Sequence, residues 1–585
     1  MSEFWDNLIP IRPSLSGEQL AGWRPRAVAM RGLGCRILAD RRIPVEDGVR
    51  LSADVYTPKR PGRYPAIVQF AAYSRELHTA GVPTGSNEIG SPPVFTDRGY
   101  VQVVVTRRGM GRSEGEAGMF LNPQDVDDHE RCIAWAARQP WCDGNVVGFG
   151  TSYYGLTQPL VAVRRPPALK AFFCNEITTD YFGNIFEFGG TFGLYFAGVW
   201  MGANFTETME RLRVPPIARA LISRAIDSRA RSVWQPLMMK RIDTIFKRFM
   251  RNTPVRLVRE WYVNMMIDGK TRAQSVIPPG PHRQLGNIEI PFVVVQNLGN
   301  FNLHQFGCYD LFEHAGTPPN QKWMILSPPH YQLPVYDWQL EALAFFDHIL
   351  RGTPNGYAGQ PPVRYWLDGD ERYAGAASFP APNSEPLRFY LASGGADAAT
   401  HRLTPEPPSG GENTWSAIPV GSPVLGGLDD VTNQTLVYEA HVEEDIHLAG
   451  PVSAHLRFSC NEIDARLILR LGRVAADGSY HPVSMGTISA ARRRPDPTRG
   501  SSCEIAIDIE HPEPLTPDEP VSLTFSLTPG PTRLRAGETL RLDVASRTDL
   551  LRSPGQIFFD IPSPYFSRNR LHYGPDSYIE LHRVT

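Results

Sequence analysis

Val146-Val147-Gly148-Phe149-Gly150-Thr151-Ser152-Tyr153-Tyr154-Gly155 is the stretch that decides the fold. Its apolar start reads as a buried strand, and LTQPLVAV, directly after it, reads as a helix. Glycines on both sides of Ser152 permit a tight strand-to-helix turn that lifts the hydroxyl to the edge of a sheet. The helix N-terminus beyond it offers free N–H groups and partial positive charge. An ordinary Gly/Ser turn uses the same residue types; the strand–turn–helix setting is what makes Ser152 a candidate nucleophile.

The pattern extends outward on both sides. Tyr64–Phe70 and Tyr100–Thr106 are short continuous apolar runs, as expected of strands covered on both faces. Asp125–Gln139 carries Val126, Cys132, Ile133 and Ala136 at helical spacing, and Leu169–Cys174 reads as a further strand. Upstream, CRILADRRIPV and VRLSADVYTP flank Asp47-Gly48, a hairpin signal. Strand and helix alternate, so the fold class is predicted to be α/β. From 176 to 285 the texture changes to segments such as MERLRVPPIARALISRAI and RIDTIFKRFM, read as an inserted helical unit with a solvated basic face. The α/β pattern resumes at PFVVV (291–295) and WMIL (323–326), followed by a helix over Gln339–Leu350. After residue 356 short strands such as LRFYLAS and ETLRLDVAS alternate with Pro/Gly turns, which predicts a β-sandwich or jelly roll.

Composition narrows the function classes. A chain of 585 residues needs two to four domains, and 51 Gly with 53 Pro favours short strands and loops. A net charge of −2, from 59 basic and 61 acidic residues, argues against a nucleic-acid partner. The start MSEFWDNLIP lacks a basic-then-apolar leader and no run of about 18 apolar residues occurs, so a cytoplasmic location without membrane contact is expected. Seven scattered cysteines form no Cys-x-x-Cys pair, and neither a metal nor a cofactor is expected. Gly109-Met-Gly111 lacks the Gly-Lys-Ser/Thr ending of a phosphate loop, so nucleotide binding is rejected.

A nucleophilic serine needs a base, and the base needs an orienting group. His330 stands directly after the strand WMIL and the loop SPPH, where the base belongs; His282, His304, His314 and His348 read as structural or solvent-exposed. Arg107 and Arg108, at a strand end, are expected to pair with Asp125 or Asp127.

Four motifs carry a resemblance: Tyr64-Pro-Ala-Ile-Val running on to Tyr73, Arg107-Arg-Gly-Met-Gly-Arg-Ser-Glu-Gly, Trp141-Cys-Asp-Gly-Asn-Val, and Gly-Thr-Ser-Tyr-Tyr-Gly; the terminal Tyr578-Ile-Glu-Leu also fits. Through them the chain, from about residue 36 to its end, resembles the cocaine-esterase / X-Pro dipeptidyl-peptidase (CocE/NonD) family of serine hydrolases. The resemblance implies an α/β-hydrolase fold with an inserted helical cap and a C-terminal all-β jelly roll. That partition matches the textures read along the chain, which divide it into 1–175 (with 1–33 an N-terminal extension), a cap at 176–285, core again at 286–355, and the β-domain at 356–585. The resemblance also implies hydrolysis of an ester or amide through an acyl-enzyme on Ser152, with His330 as base. Tyr73 and the backbone N–H of Tyr153 then form the oxyanion hole.

The family acid is expected after PFVVV, where this sequence has Asn297-Leu298-Gly299-Asn300 and so places Asn300 at the acid position. An amide orients an imidazole but cannot balance its charge, a change that costs about 10⁴-fold in a trypsin-type triad. Four accounts stay open: an engineered loss, a relocated acid, a Ser-His pair oriented by the Asn300 amide, or a chemistry other than simple hydrolysis. Glu176, directly after LKAFFCN, is the first candidate for a relocated acid; Asp310 and Asp337 are weaker ones. Aromatic residues of the cap region, Phe182, Phe186, Phe188, Phe192, Tyr195, Phe196 and Trp200, would suit a water-poor substrate pocket. The expected function is a serine esterase or acyl hydrolase acting on a small ester or amide. The alternatives are an acyltransferase or cyclase of secondary metabolism and a non-catalytic binding protein, with a homodimer left open.

Overall fold

A hairpin opens the described chain: β1 (Cys35–Pro44) and β2 (Arg50–Pro58) run antiparallel around a turn in which Asp47 takes φ +59°. The computed structural model describes residues 34–73, 88–119, 121–191, 279–299, 304–328, 336–395, 398–417, 435–546 and 567–585. The expected cap, residues 176–285, falls mostly on 192–278, outside the described residues.

The apolar runs become strands that bury nearly every residue. They are β3 (Tyr64–Ala71), β4 (Val101–Thr106), β5 (Cys142–Thr151), β6 (Leu169–Asn175), β7 (Phe292–Asn297) and β8 (Lys322–Ser327). With β9 (Val363–Leu367) and β10 (Arg372–Ala376) they join the hairpin in one ten-stranded sheet, ordered β1-β2-β4-β3-β5-β6-β7-β8-β9-β10. Pairing is parallel from β4 through β9 and antiparallel only at the edges. Because β9 and β10 belong to this sheet, it runs through Ala376, past the boundary at 356 expected from the change in texture.

Helices cover the sheet: α1 (Pro92–Thr96), α2 (Pro123–Ala137), α3 (Tyr153–Ala162), α4 (Gly307–His314) and α5 (Tyr336–Arg351). Helix α2 starts where its sequence dictates: the Asn122 side chain accepts from the Asp125 N–H at 3.0 Å, and Pro123 fills the first turn. Among the described residues no helix is long and apolar enough to cross a membrane. All seven cysteines are free thiols.

Beyond Ala376 thirteen strands, from Ser384–Ala392 to Tyr578–Val584, form an all-β domain with its own apolar core. The pairing is antiparallel except where His401–Thr404 lies beside Leu436–His441. This domain is fastened to the first by charge as well as packing. Arg499 pairs with Asp180, Arg492 with Glu187 at 2.6 Å, and Arg473 with Asp368 at 2.9 Å. Cys503, Ile507 and Ile509 pack into the first core.

Candidate active site

Three neighbouring parallel strands run toward the same edge of the sheet, and beyond each lies a residue bent into positive φ. Ser152 follows β5 with φ +56° and ψ −122°, Glu176 follows β6 with φ +53°, and His304 lies seven residues past β7 with φ +58°. Such a conformation costs a non-glycine residue about 1–3 kcal/mol and persists only where its surroundings enforce it. These three strained residues meet. Ser152 Oγ is 3.4 Å from His304 Nε2, and His304 Nδ1 is 3.9 Å from Glu176 Oε2. His304 and Glu176 are each only 3% exposed, so their attraction is poorly screened by water.

The turn at Ser152 is locked by its neighbours. Its N–H donates to the Asn175 carbonyl at 2.9 Å, and its own carbonyl accepts from Leu156 N–H at 2.7 Å to start α3. Gly150 and Gly155 are required for packing: a Cβ at Gly150 would lie 2.3 Å from Tyr154 Cβ, and one at Gly155 would lie 2.7 Å from the Asn175 oxygen. Glu176 is held at the next strand end by its N–H, which donates to the Val295 carbonyl at 2.8 Å.

Tyr73, just past β3, is buried with its ring centroid 6.0 Å from that of Tyr153 and 5.7 Å from that of Tyr154. Its hydroxyl donates to Glu88 Oε1 at 3.5 Å. Tyr153 opens α3, and its side-chain oxygen accepts from the Leu121 N–H at 3.3 Å. Glu88 is 2% exposed, and its backbone carbonyl accepts from Thr151 N–H at 3.3 Å, one residue before Ser152. Burial, reinforced by the Glu176 charge, pushes the Glu88 carboxyl well above the ordinary carboxylate range, against the pull of the Tyr73 hydrogen bond.

The remaining expectations separate. His330, Asn300, Phe192, Tyr195, Phe196 and Trp200 lie outside the described residues, as do the side chains of Phe186 and Asp337. Phe182 and Phe188 are buried, and Phe188 stacks on Phe306, two residues beyond His304, at 6.1 Å between centroids. Phe188 and Phe306 border a cavity of about 40 Å³ that is lined on its polar side by Asp180, Asn184, Arg499 and Glu504. Asp310 does not reach Ser152: it accepts from His282 and His314 at 2.8 Å each and from the Thr179 hydroxyl. His348 stacks beside Tyr357 on α5. Arg107 pairs with Asp125 at 2.9 Å as expected, but Arg108 takes Asp128 at 2.8 Å, and Asp127 pairs with Arg164 at 3.1 Å. Among the described residues no cluster of His, Cys, Asp and Glu is spaced to hold a metal ion.

His304 is the residue the sequence did not single out. It sits in an aperiodic loop, NFNLHQF, so no repeat marks it, and it was expected to be structural. The signal available was chain order: a serine, then an acid at 176, then a histidine, the order in which α/β hydrolases use them. The arrangement places an imidazole nitrogen to accept a serine proton and a carboxylate on its far side to favour the imidazolium that results.

Comparison with known proteins agrees with this architecture. The model of the X-Pro dipeptidyl-peptidase (S15) family matches residues 47–332, and that of the X-Pro dipeptidyl-peptidase C-terminal non-catalytic domain matches residues 355–554. The chain is similar to cocaine esterase from Rhodococcus sp. (strain MB1 Bresler), 26% identical over 526 residues, covering 80% of this chain and 86% of that one. In structure it resembles a CocE/NonD family hydrolase from Staphylococcus aureus, with a TM-score of 0.72 at 20% identity over 94% of each chain. It also resembles an aminopeptidase from a Thaumarchaeota archaeon, with a TM-score of 0.69 at 16% identity, covering 98% of this chain and all of that one.

Proposed function

The chain belongs to the CocE/NonD, X-Pro dipeptidyl-peptidase-like family of α/β-hydrolase serine hydrolases, and we propose that it cleaves a small ester or amide through an acyl-enzyme on Ser152, with His304 as base and Glu176 as acid. The observation that carries this is the contact of Ser152 Oγ with His304 Nε2 at 3.4 Å, backed by Glu176 at 3.9 Å.

His304 Nε2 takes the Ser152 proton as Oγ bonds to the substrate carbonyl carbon. Negative charge then moves onto the carbonyl oxygen, where Tyr73 Oη–H and the Tyr153 N–H donate to it. Each such donor is worth about 3–4 kcal/mol when removed. As the tetrahedral intermediate collapses, the bond to the leaving oxygen or nitrogen breaks and that atom takes the proton from His304. Water, deprotonated by the same nitrogen, then attacks the acyl carbon; the bond to Ser152 Oγ breaks, Oγ takes the proton back from His304, and the acid is released. Glu176 stabilises the imidazolium across 3.9 Å, the role a carboxylate at residue 300 would otherwise fill.

The test compares two bases in the full chain. Ser152 labelling by a fluorophosphonate and turnover of p-nitrophenyl acetate are measured for His304→Ala and His330→Ala. Loss of both readouts by at least ~10³-fold in His304→Ala, with a smaller loss in His330→Ala, supports the proposal. The reverse ranking would overturn it and return the base to position 330.

A further inference from the structure

Glu88 is a buried carboxyl that the steps above do not use. Oε1 lies 3.5 Å from Tyr73 Oη, and among the described residues Oε2 is buried without a hydrogen-bond partner. Its position is fixed, since the Glu88 carbonyl accepts from Thr151 and the Ile89 carbonyl accepts from the Gln69 and Gln102 side chains at 3.1 and 2.9 Å. Among the described residues the titratable groups that face it are Tyr73 from the end of β3 and Glu176 from the end of β6, the latter with His304 Nδ1 at 3.9 Å. No cation pairs with Glu88 among the described residues. An ionised carboxylate with a bare, buried oxygen and a second carboxylate nearby is strongly disfavoured, so the proton stays on Glu88.

A neutral carboxylic acid donates one hydrogen bond, whereas a carboxylate only accepts. We infer that Glu88 is a positioning residue for the oxyanion hole: its O–H donates to Tyr73 Oη, leaving the Tyr73 proton for the substrate carbonyl oxygen. This rests on the placement of Tyr73 in that hole. Donation into Tyr73 Oη also polarises its O–H and strengthens the bond it makes to developing charge. When Glu88 ionises, its carboxylate captures the Tyr73 proton, and the hole loses one donor. Turnover therefore falls as pH rises through the Glu88 titration.

The pH profile of kcat for p-nitrophenyl acetate tests this in the full-length protein. The wild type is expected to show an alkaline limb, and Glu88→Gln, whose amide N–H donates at every pH, to lack it. Glu88→Leu cannot donate, and it lowers kcat by about tenfold across the whole range. In Glu176→Gln the alkaline limb moves to lower pH, because a like charge that holds the proton on Glu88 is gone. In a Tyr73→Phe background Glu88→Gln has no further effect. An alkaline limb unchanged in Glu88→Gln, or an equal effect of Glu88→Gln with and without Tyr73, would overturn the inference. The underlying reading fails by other measurements: hydrolysis that survives Ser152→Ala removes the acyl-enzyme, and a Tyr73→Phe protein with full kcat removes Tyr73 from the hole.

Discussion

The two sheets of this chain divide their side chains between protein and solvent in different ways. β4 and β7 bury all six of their residues, whereas Val521–Leu527 alternates buried positions with more exposed ones along most of its length. In the first sheet helices cover the faces, so polar chemistry emerges mainly where a strand gives way to a loop. Ser152 and Glu176 sit directly at such ends, and His304 lies in the loop beyond a third. In the β-domain polar side chains leave along the open face and pair there, as Arg388 does with Glu580 at 2.8 Å and Arg583 with Glu385 at 2.6 Å. A covered parallel sheet thus concentrates polar groups at one edge and enforces strained backbone there. A half-open antiparallel one spreads them out and relaxes them.

That contrast is broken most directly at Ser152. Ser152→Ala is expected to lower p-nitrophenyl acetate turnover by up to about 10⁶-fold with an unchanged urea midpoint. Residual turnover near wild type would mean that the chemistry lies elsewhere.

Glu176→Gln follows, with an expected loss in kcat of about 10²–10⁴-fold, since the imidazolium loses its only buried counter-charge in the proposed triad. A rate within threefold of wild type would leave the strained end of β6 without a catalytic role.

Trp415→Ala probes the other sheet. This side chain is 1% exposed in the β-domain core, with its indole N–H donating to Ser546 at 2.9 Å. Its removal should cost about 3–5 kcal/mol in urea unfolding, while turnover per fluorophosphonate-labelled site stays within twofold. A proportional loss of turnover at temperatures where the protein remains folded would show that the two regions are not separable.

The smallest effect is electrostatic. Hydrogen bonds to Asp310, outweighing burial, raise His282 and His314 above the ordinary histidine value of 6.5. Their stabilisation is complete below that value and is lost as pH climbs through their raised folded values. Burial opposes ionisation of Asp310, but its bonds from His282 and His314 hold it below the ordinary 3.8, so its contribution is lost as pH falls below that value. The urea midpoint of Asp310→Asn should therefore lie furthest below wild type between about pH 3.8 and 6.5. A difference independent of pH would remove these histidines from the account.

Much of the fold was legible locally. Val101–Thr106 and Phe292–Asn297 announce buried strands by apolar content, and Gly150 and Gly155 announce a turn around Ser152 because no side chain fits at either position. Glu176 was legible as a candidate from its place after a strand, but its distance from an imidazole was not. His304 carried only the signal of chain order, and Glu88 none, because both sit in loops whose conformation no short-range preference sets.

Sequence alone determined the order of strands and helices, the tight turn at Ser152 and the division into an α/β part and an all-β part, since each follows from periodicity and backbone preference over a few residues. Only the tertiary structure showed that His304 reaches Ser152 and that Glu176 lies behind it. Ser152 and His304 are 152 residues apart. Their contact depends on parallel pairing between β5, β6 and β7, on two burial-enforced positive-φ residues at Glu176 and His304, and on a desolvated pocket that no local stretch of chain encodes.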